Sequence, residues 1–421
     1  IIVIHEFQCI KVMMMNLNKL VRTFSTLTPT KNNFLSPRDV VVGQSSIRAL
    51  PSLLAQHGVK SPLLVTGKPL VELGYVKMIQ DILEAKGITL AIFSDTVEDP
   101  TTKVIKEGAK VLKSGNFDSM IAFGGGSPMD TAKGMSILAK YGGEMRDYKV
   151  PAQADEGAVP IIAIPTTAGT GSEVTRFTVI TDSETEEKML IAGRACVPDA
   201  AIVDCDFTLT LPFRTAADTG IDALTHAVEA YVSKKANPFS DMYALSAMQM
   251  IYPNLEKACF NPNDVEAKEK VMIGATMGGY AFSASSVALI HGMSRPLGAH
   301  FHIPHGLSNA MLFSEVIRYT LADSSGNAEN IRARYASCAR QMGIAAHSDS
   351  DARAVDLLET DLSSLLKKLE VPSPKAYGID EEAYLDKIQL MAEQALSSGS
   401  PQNNPCVPSA SEMMSIYRNI F

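Results

Sequence analysis

Residues 119–134 read SMIAFGGGSPMDTAKG, an apolar run that ends in three glycines and continues into a stretch with helical spacing. The run to Phe123 predicts a strand, and the segment from Ser127 to Lys140 predicts a helix. Glycines let the backbone approach a phosphate closely, and free N–H groups at a helix start attract its charge. The pattern is neither a Walker A loop nor a full GxGxxG motif, so phosphate binding and a plain tight turn both stay open.

The alternation of strand and helix extends over residues 40–204. Short β-branched runs predict strands at 40–43, 62–66, 89–94, 119–123, 160–164 and 200–203, with helices at 71–86 and 101–114 between them. Strands and helices that alternate in this way form a parallel sheet with helices on its faces. We therefore predict a nucleotide-type α/β domain with a Rossmann-like parallel sheet over residues 34–210.

From residue 211 to residue 421 the pattern changes to long stretches with helical spacing. These stretches predict helices at 216–233, 240–257, 265–282, 331–342, 352–369 and 381–397. The breaks contain proline or glycine, as at Pro253, Pro262, Pro304 and Pro372. The sequence thus predicts an all-α second domain, in which SSGSPQNNPCVPS near the end is a loose segment.

The composition indicates a globular protein that binds small molecules. Hydrophobic residues make up 46% of the 421 positions and charged residues 20%, which excludes disorder across the whole chain. The net charge of −8 argues against nucleic acid as the main ligand, because phosphate binding needs clustered Lys and Arg. The six cysteines form no CxxC pair, so neither a disulfide framework nor a thiolate zinc site is predicted. No apolar run approaches the roughly 18 residues of a membrane span, so no membrane association is predicted.

Residues 1–33 differ in character from the rest. Between Met13 and Asn33 the chain carries Lys19, Arg22 and Lys31, many Ser and Thr, and no acidic residue. This composition is typical of an organelle transit peptide, and it predicts the mitochondrial matrix as the location. A disordered tail or a mistranslated upstream stretch is the alternative, with a cytoplasmic location.

A second polar loop follows another apolar run. Residues 165–177 read PTTAGTGSEVTRF and combine Gly169 and Gly171 with several hydroxyl side chains. Hydroxyls and backbone amides at the C-terminal end of a strand can bind a pyrophosphate or a ribose. A simple connecting loop is the alternative, but two such loops after neighbouring strands favour a nucleotide site.

The second half contains a pattern of candidate metal ligands. Asp222 and His226 lie four apart in GIDALTHAVEAY, so both side chains point to one helix face. His291 and His305 bracket HGMSRPLGAHFHIPHG. An Asp and a His on one helix face are usually a solvated pair, but three imidazoles and a carboxylate suit a divalent transition metal.

Four segments together resemble the signatures of one family. GGGSPMDTAKG, PTTAGTGSEVT, TGIDALTHAVEAY and HGMSRPLGAHFHIPHG, in this order and spacing, resemble the iron-containing, or group III, alcohol dehydrogenases. The resemblance covers about residues 34–421. It implies a dehydroquinate synthase-like architecture, with a dinucleotide-binding domain, a helical domain, and an active site in the cleft between them.

The resemblance also implies ligands residue by residue. The metal ligands would be Asp222, His226, His291 and His305, holding Fe²⁺, although the same donors accept Zn²⁺ or another divalent cation. Contacts to NADP or NAD would come from Gly124, Gly125, Gly126, Ser127, Asp130, Thr166, Thr167, Thr170 and Lys188. The implied activity is hydride transfer between an alcohol and a nicotinamide, in a homodimer or larger homo-oligomer.

Two other functions stay open at this stage. One is a hydroxyacid–oxoacid transhydrogenase, although such relatives carry a longer insertion than the 14 positions that separate His291 from His305. The other is a lyase like dehydroquinate synthase, which GIDALTHAVEAY fits less well than it fits a dehydrogenase. A scaffold without activity is disfavoured because all four ligands are present.

Position 295 departs from the family pattern. Many members have a histidine four residues after the third ligand, proposed to pass protons near the nicotinamide, whereas this chain has Arg295. Arginine stays protonated and is no ordinary general base, but it can bind an anionic group on substrate or cofactor. His300 or His302 is then the hypothetical proton path, with a packed role as the alternative for His302.

A second departure lies at the end of the second strand, in LLVTGKPL. NAD-preferring members often have an aspartate at the position of Gly67, where a carboxylate binds the ribose and repels a 2′-phosphate. Here Gly67 removes that repulsion and Lys68 adds a cation nearby. We therefore predict that NADP is accepted and preferred, unless Gly67 merely permits the turn.

Overall fold

A six-stranded parallel sheet organises the first half of the computed structural model, which describes residues 34–322 and 327–421. The strands in chain order are β1 (Asp39–Val42), β2 (Pro62–Val65), β3 (Ala91–Phe93), β4 (Ser119–Gly124), β5 (Ile161–Pro165), β6 (Phe177–Thr181), β7 (Lys188–Ala192) and β8 (Ala200–Val203). The sheet order is β1-β8-β5-β4-β2-β3, while β6 and β7 form a separate antiparallel hairpin. The parallel sheet is confirmed, and the hairpin is an element that the sequence reasoning missed.

Helices cover both faces of the sheet. They are α1 (Leu50–Gln56), α2 (Lys68–Glu72), α3 (Tyr75–Glu84), α4 (Thr102–Ser114) and α5 (Gly126–Tyr141). Leu64 and Ile121 pack with α1 and α3, whereas their neighbours Leu63 and Met120 pack on the other face with α4 and α5. Because side chains of a strand alternate between faces, a sheet buried on both sides reads as continuous apolar runs.

The second half is helical, as predicted. Its helices are α6 (Phe213–Val232), α7 (Pro238–Phe260), α8 (Val265–Ala284), α9 (Leu289–Phe301), α10 (His305–Leu321), α11 (Ala328–Gln341), α12 (Asp351–Lys368), α13 (Pro374–Tyr377), α14 (Glu381–Ser397) and α15 (Ala410–Ile420). The central helix α6 is buried on nearly all sides from Ala217 onward. A helix of this kind lies in the middle of a core rather than at the surface.

Three local expectations need correction. The predicted helix 71–86 is two helices, because Gly74 adopts φ +81° between α2 and α3. Pro253 does not break a helix but lies inside α7, at an exposed position. The segment 397–409 is not loose, since Asn403 and Asn404 are buried and Asn403 donates to the Val287 carbonyl at 3.1 Å.

Residues 35–421 form one compact unit, in which the change from sheet to helices falls between β8 and α6. The domain limits at 34–210 and 211–421 stay predictions, and the leader at 1–33 lies outside the described residues. Among the described residues, no single helix has the length and apolar character to cross a membrane; α8 and α9 have them only as a pair bent by 105°.

The loop after β5 contacts α8 through two glycines. Gly171 has φ +61°, and a Cβ there would lie 2.5 Å from the Gly279 Cα, a backbone atom that cannot move independently. The loop and the helical half therefore meet without side chains at this point. A methyl group would force the two segments apart.

We expect Gly171→Ala to lower the free energy of unfolding by about 2–4 kcal/mol, the sum of left-handed strain and overpacking. Gly58→Ala is the matched control, because Gly58 has φ +70° but an added methyl group there would meet no atom within 4 Å. That control is expected to cost about 1 kcal/mol in the same urea titration. An equal decrease in the free energy of unfolding in the two variants would show that the contact with Gly279 does not contribute to stability.

Candidate metal and nucleotide site

Helix α6 carries the first two candidate ligands, Asp222 and His226. Both side chains are buried, and the His226 Nε2 lies 3.8 Å from the Asp222 Oδ1. The four-residue spacing places them one turn apart on the same face of a helix that is itself enclosed. The solvated-pair alternative therefore does not describe them.

The other two candidate ligands come from α9 and α10. His291 Nε2 lies 3.3 Å from Asp222 Oδ1, and His305 Nε2 lies 3.6 Å from the same oxygen. The rings of His226 and His291 stack with centroids 4.5 Å apart. His305 begins α10 and keeps 46% of its side chain exposed, so the cluster opens to solvent on that side. The structure brings all four predicted residues together.

The charge states of the cluster suit a cation. Burial alone would raise the pKa of Asp222, but the three neighbouring imidazoles lower it below its usual range. Burial lowers the pKa of His226 to about 4, against the opposing effect of Asp222. The cluster thus offers a carboxylate and a neutral imidazole near pH 7, which are the forms that bind a metal.

Asn309 shows directly that the cluster is rich in acceptors. Its buried Nδ2 lies 2.7 Å from Asp222 Oδ1, 3.2 Å from His291 Nε2 and 3.3 Å from His305 Nε2. One amide group thus lies against a carboxylate oxygen and two imidazole nitrogens that converge on one region. A donor set of this kind, one oxygen and three imidazole nitrogens, fits a divalent transition metal. The sequence reasoning missed Asn309, although it lies four residues after His305 on α10.

Glu229 is a second residue that the sequence reasoning missed. It lies on α6, and its carboxylate accepts hydrogen bonds from His291 Nδ1 at 2.6 Å, from the Ala288 N–H at 2.9 Å and from the Ile290 N–H at 2.6 Å. The bond to Nδ1 turns the Nε2 of His291 toward Asp222. The spacing in the sequence could have indicated Glu229 as a partner of the cluster, because Glu229 follows His226 by three positions on the same helix face.

Arg295 lies one turn beyond His291 on α9, and its Nη1 donates to Ser400 Oγ at 3.0 Å. His300 lies apart from the cluster and pairs with Gln394 of α14, at 2.8 Å between Nε2 and Oε1. His302 ends α9 in the left-handed conformation, with an exposed side chain. Within 34–322 and 327–421, no hydrogen bond joins either histidine to the four ligands, so their role in proton transfer stays a hypothesis.

The two glycine loops lie side by side at the carboxyl ends of β4 and β5. The Thr166 N–H donates to the Gly124 carbonyl at 3.0 Å, and the Thr167 and Thr170 side chains lie against Gly125 and Gly126. Ser127 lies in the first turn of α5, which begins at Gly126 without a side-chain cap, so its first N–H groups are available to an anion. The geometry suits the pyrophosphate of a dinucleotide.

Both carboxylate oxygens of Asp130 accept hydrogen bonds from other residues of the protein. Its two oxygens accept from Ser172 Oγ and from the Val179 N–H, each at 3.0 Å. The buried Lys133 donates to Ser172 Oγ at 2.9 Å and to the Phe177 carbonyl at 2.8 Å. This network fixes the second loop and the β6–β7 hairpin against α5, while the predicted contact of Asp130 with the cofactor stays a prediction.

The remaining predicted cofactor residues have acidic neighbours. Gly67 lies two residues after β2 and caps α2, and the adjacent Lys68 lies 3.4 Å from Asp95 between Nζ and Oδ1. Lys188 begins β7, with its Nζ 2.9 Å from the Asp99 Oδ2. The pairing with Asp95 partly offsets the cation that the sequence places beside Gly67.

Comparison with known families agrees with this arrangement. The family described as iron-containing alcohol dehydrogenase matches residues 37–205, and the C-terminal part of the Fe-containing alcohol dehydrogenase family matches residues 216–421. The chain belongs to the iron-containing alcohol dehydrogenases.

Individual relatives align over nearly their whole length. The chain is 34% identical to the NADPH-dependent butanol dehydrogenase of Clostridium saccharobutylicum, over 92% of this chain and 97% of that protein. It is also 34% identical to the NAD-dependent methanol dehydrogenase of Bacillus methanolicus, over 92% and 99%. Among solved structures, a 1,3-propanediol oxidoreductase superposes with a TM-score of 0.86 at 32% identity, covering 92% of this chain and 99% of that one.

We expect Glu229→Gln to weaken the affinity of the cluster for a divalent metal by about 10- to 100-fold, because His291 loses its charged orienting partner. Affinity is measured by equilibrium dialysis against Fe²⁺ and Zn²⁺ buffers. Glu382→Gln, which makes the same change at an exposed position of α14, is expected to bind as the unaltered protein does. Equal affinities for both variants would exclude an orienting role for Glu229.

Proposed function

We propose that the chain is a metal-dependent NAD(P) alcohol dehydrogenase that also works in reverse as an aldehyde reductase. The observation that carries the proposal is the convergence of three imidazole nitrogens on Asp222 Oδ1, within 3.3 to 3.8 Å, in a member of this family. The acceptor-rich surroundings of Asn309 support a cation there. The family and the donor set favour Fe²⁺, with Zn²⁺ as the alternative.

When bound, the metal supplies a Lewis acid for the alcohol or carbonyl oxygen, and the nicotinamide accepts or donates the hydride. The chain's own residues hold these groups in place. Asp222 provides a buried negative charge, and Glu229 fixes the ring of His291 through Nδ1. Phe282 stacks on His226 with centroids 4.3 Å apart and shields that side of the cluster from water.

The glycine loops position the coenzyme in this proposal. The free N–H groups at the start of α5 bind its phosphates, while Thr167 and Thr170 offer hydroxyls from the neighbouring loop. Relatives named for NADPH and for NAD both align with this chain, so the preference depends on its own residues. We infer a preference for NADP, because Gly67 carries no carboxylate that would repel a 2′-phosphate.

The transhydrogenase alternative is supported by one observation, the position of Arg295 one turn from His291. Turnover of a 2-hydroxy acid with a 2-oxo acid, without added coenzyme, would identify that activity. The lyase alternative has no supporting contact among the described residues. The matrix location and the homodimer stay proposals that follow from residues 1–33 and from the family.

Metal removal is expected to abolish alcohol-dependent reduction of NADP or NAD, and Fe²⁺ or Zn²⁺ is expected to restore it. His226→Ala is expected to lower kcat/KM by about 10³-fold, because the cation then loses a ligand that holds it. His347→Ala is the control, an exposed histidine remote in sequence from the ligands. A panel of alcohols and aldehydes is measured by the absorbance of the reduced coenzyme. Turnover by metal-free protein would refute the proposed mechanism.

Gly67→Asp is expected to lower the ratio of kcat/KM for NADP over NAD by about 10- to 100-fold, since the new carboxylate repels a 2′-phosphate and binds a ribose hydroxyl. The site has room, because an added Cβ would lie 3.4 Å from Thr96 Oγ1, an ordinary contact. Gly157→Asp adds the same charge at an open position as control. Unaltered protein that strongly favours NAD would contradict the inferred preference.

A further inference from the structure

We propose that Arg295 binds a carboxylate of the substrate, so that the preferred substrates are hydroxy acids and the corresponding aldehyde or oxo acids. The inference rests on the proposed function and adds the substrate class. It starts from the place of Arg295 on α9, where a spacing of four residues puts it on the same face as His291.

The guanidinium of Arg295 has N–H donors without a partner among the described residues. Nη1 donates to Ser400 Oγ at 3.0 Å, and this is its one hydrogen bond to the described residues. A guanidinium carries five N–H donors in a planar fork. Among the described residues, none of its nitrogens is a fully buried atom without a partner, so the unused donors remain accessible to solvent. That geometry fits a carboxylate, which arginine binds through two parallel hydrogen bonds.

The charge of Arg295 also lacks a partner. Some other partly buried arginines have a carboxylate close by, since Arg214 lies 2.6 Å from Asp218 and Arg334 lies 2.8 Å from Asp241. Arg176 resembles Arg295 in having no carboxylate within 4 Å among the described residues. Among the described residues, no carboxylate oxygen lies within 4 Å of the Arg295 nitrogens, and the carboxylate that acts on it, Glu229, is committed to His291. A partly buried cation without a counterion is costly unless a ligand supplies one.

The positive charge reaches the candidate metal site. Arg295 follows the candidate ligand His291 by one turn of α9, and His291 Nε2 lies 3.3 Å from Asp222 Oδ1 at the centre of the cluster. A cation bound by the cluster would add its charge beside Arg295. A neutral alcohol leaves this repulsion in place, whereas a carboxylate on the same substrate neutralises it.

If Arg295 had only a structural role, its replacement would have a different effect. The segment after α14 packs closely on α9, since a Cβ at Gly292 would lie 2.7 Å from Pro401, and Ser400 is the hydrogen-bond partner of Arg295. Loss of that support would lower activity toward all substrates alike. Binding of a carboxylate would instead alter the ratio between acidic and neutral substrates.

The experiment uses metal-reconstituted full-length protein with matched pairs: 3-hydroxypropionate against 1-propanol, 4-hydroxybutyrate against 1-butanol, and lactate against 2-propanol. For at least one pair, kcat/KM for the acid is expected to exceed that for the neutral alcohol by about 10- to 100-fold, the range of a charged hydrogen bond. Arg295→Gln is expected to remove this preference, because kcat/KM for the acid falls much more than kcat/KM for the neutral alcohol. Arg295→Lys keeps the charge and is expected to keep part of the preference.

Two controls complete the design. Arg318→Gln makes the same substitution on an exposed arginine of α10 and is expected to leave the ratio unchanged. The dissociation constant of butyrate, which cannot react, is measured by calorimetry and is expected to rise about 10-fold in Arg295→Gln alone. Thermal melting of each variant confirms that it is folded. If Arg295→Gln is not folded, the partial loss of the acid preference expected in Arg295→Lys is the test, and an undiminished preference there would contradict the inference.

Three outcomes would overturn the inference and leave the proposed function unaffected. The first is a preference for neutral alcohols that Arg295→Gln does not change. The second is an equal loss of kcat/KM for acids and neutral alcohols in Arg295→Gln, and the third is a change in that variant confined to the KM of the coenzyme. Failure to oxidise either class by protein that binds metal and coenzyme would instead refute the proposed function, and the inference with it.

Discussion

The arrangement of the site depends on the buried carboxylate of Glu229. Through three hydrogen bonds from the Ala288 N–H, the Ile290 N–H and His291 Nδ1, it joins α6 to the start of α9. Those bonds set where α9 begins and which way the His291 ring faces. Without them, a ligand from α9 would have no fixed position relative to Asp222 on α6. Because a buried carboxylate is costly unless it is hydrogen-bonded, this contact links the packing of α9 on α6 to the geometry of the site.

A second constraint joins the nucleotide loops to the helices. Gly171 and Gly279 meet backbone to backbone, and the buried Lys133 holds Ser172 of the same loop to α5. The loop after β5 is thereby held on one side by the sheet and on the other by α8. The glycine loops and the four ligands therefore belong to one packed unit, which is what hydride transfer between a coenzyme and a substrate requires.

The sequence predicted the parts whose signal is local. All six sheet strands were found, because strands buried on both faces leave continuous apolar runs. The four candidate ligands, which the structure brings together, were predicted from two helical spacings and a family resemblance. The hairpin was missed because Phe177–Thr181 continues directly from a glycine-rich loop. Glu229 and Asn309 were missed for another reason: spacing shows which residues share a helix face, but only packing shows that the face is buried against His291 or Asp222.

Many family members have a histidine at position 295, and the arginine of this chain differs from it in the proton chemistry that it allows. A histidine there can take up and release a proton near neutral pH, whereas a guanidinium keeps its charge throughout that range. Solvent offers one route for proton exchange, since His305 keeps 46% of its side chain exposed. A route through His300 or His302 stays a hypothesis. The permanent charge has a second effect, since Asp222 and Glu229 balance a divalent cation and leave Arg295 without a counterion. A substrate that carries its own negative charge neutralises the charge of Arg295. The arginine that replaces a proton-transferring histidine thus also favours acidic substrates.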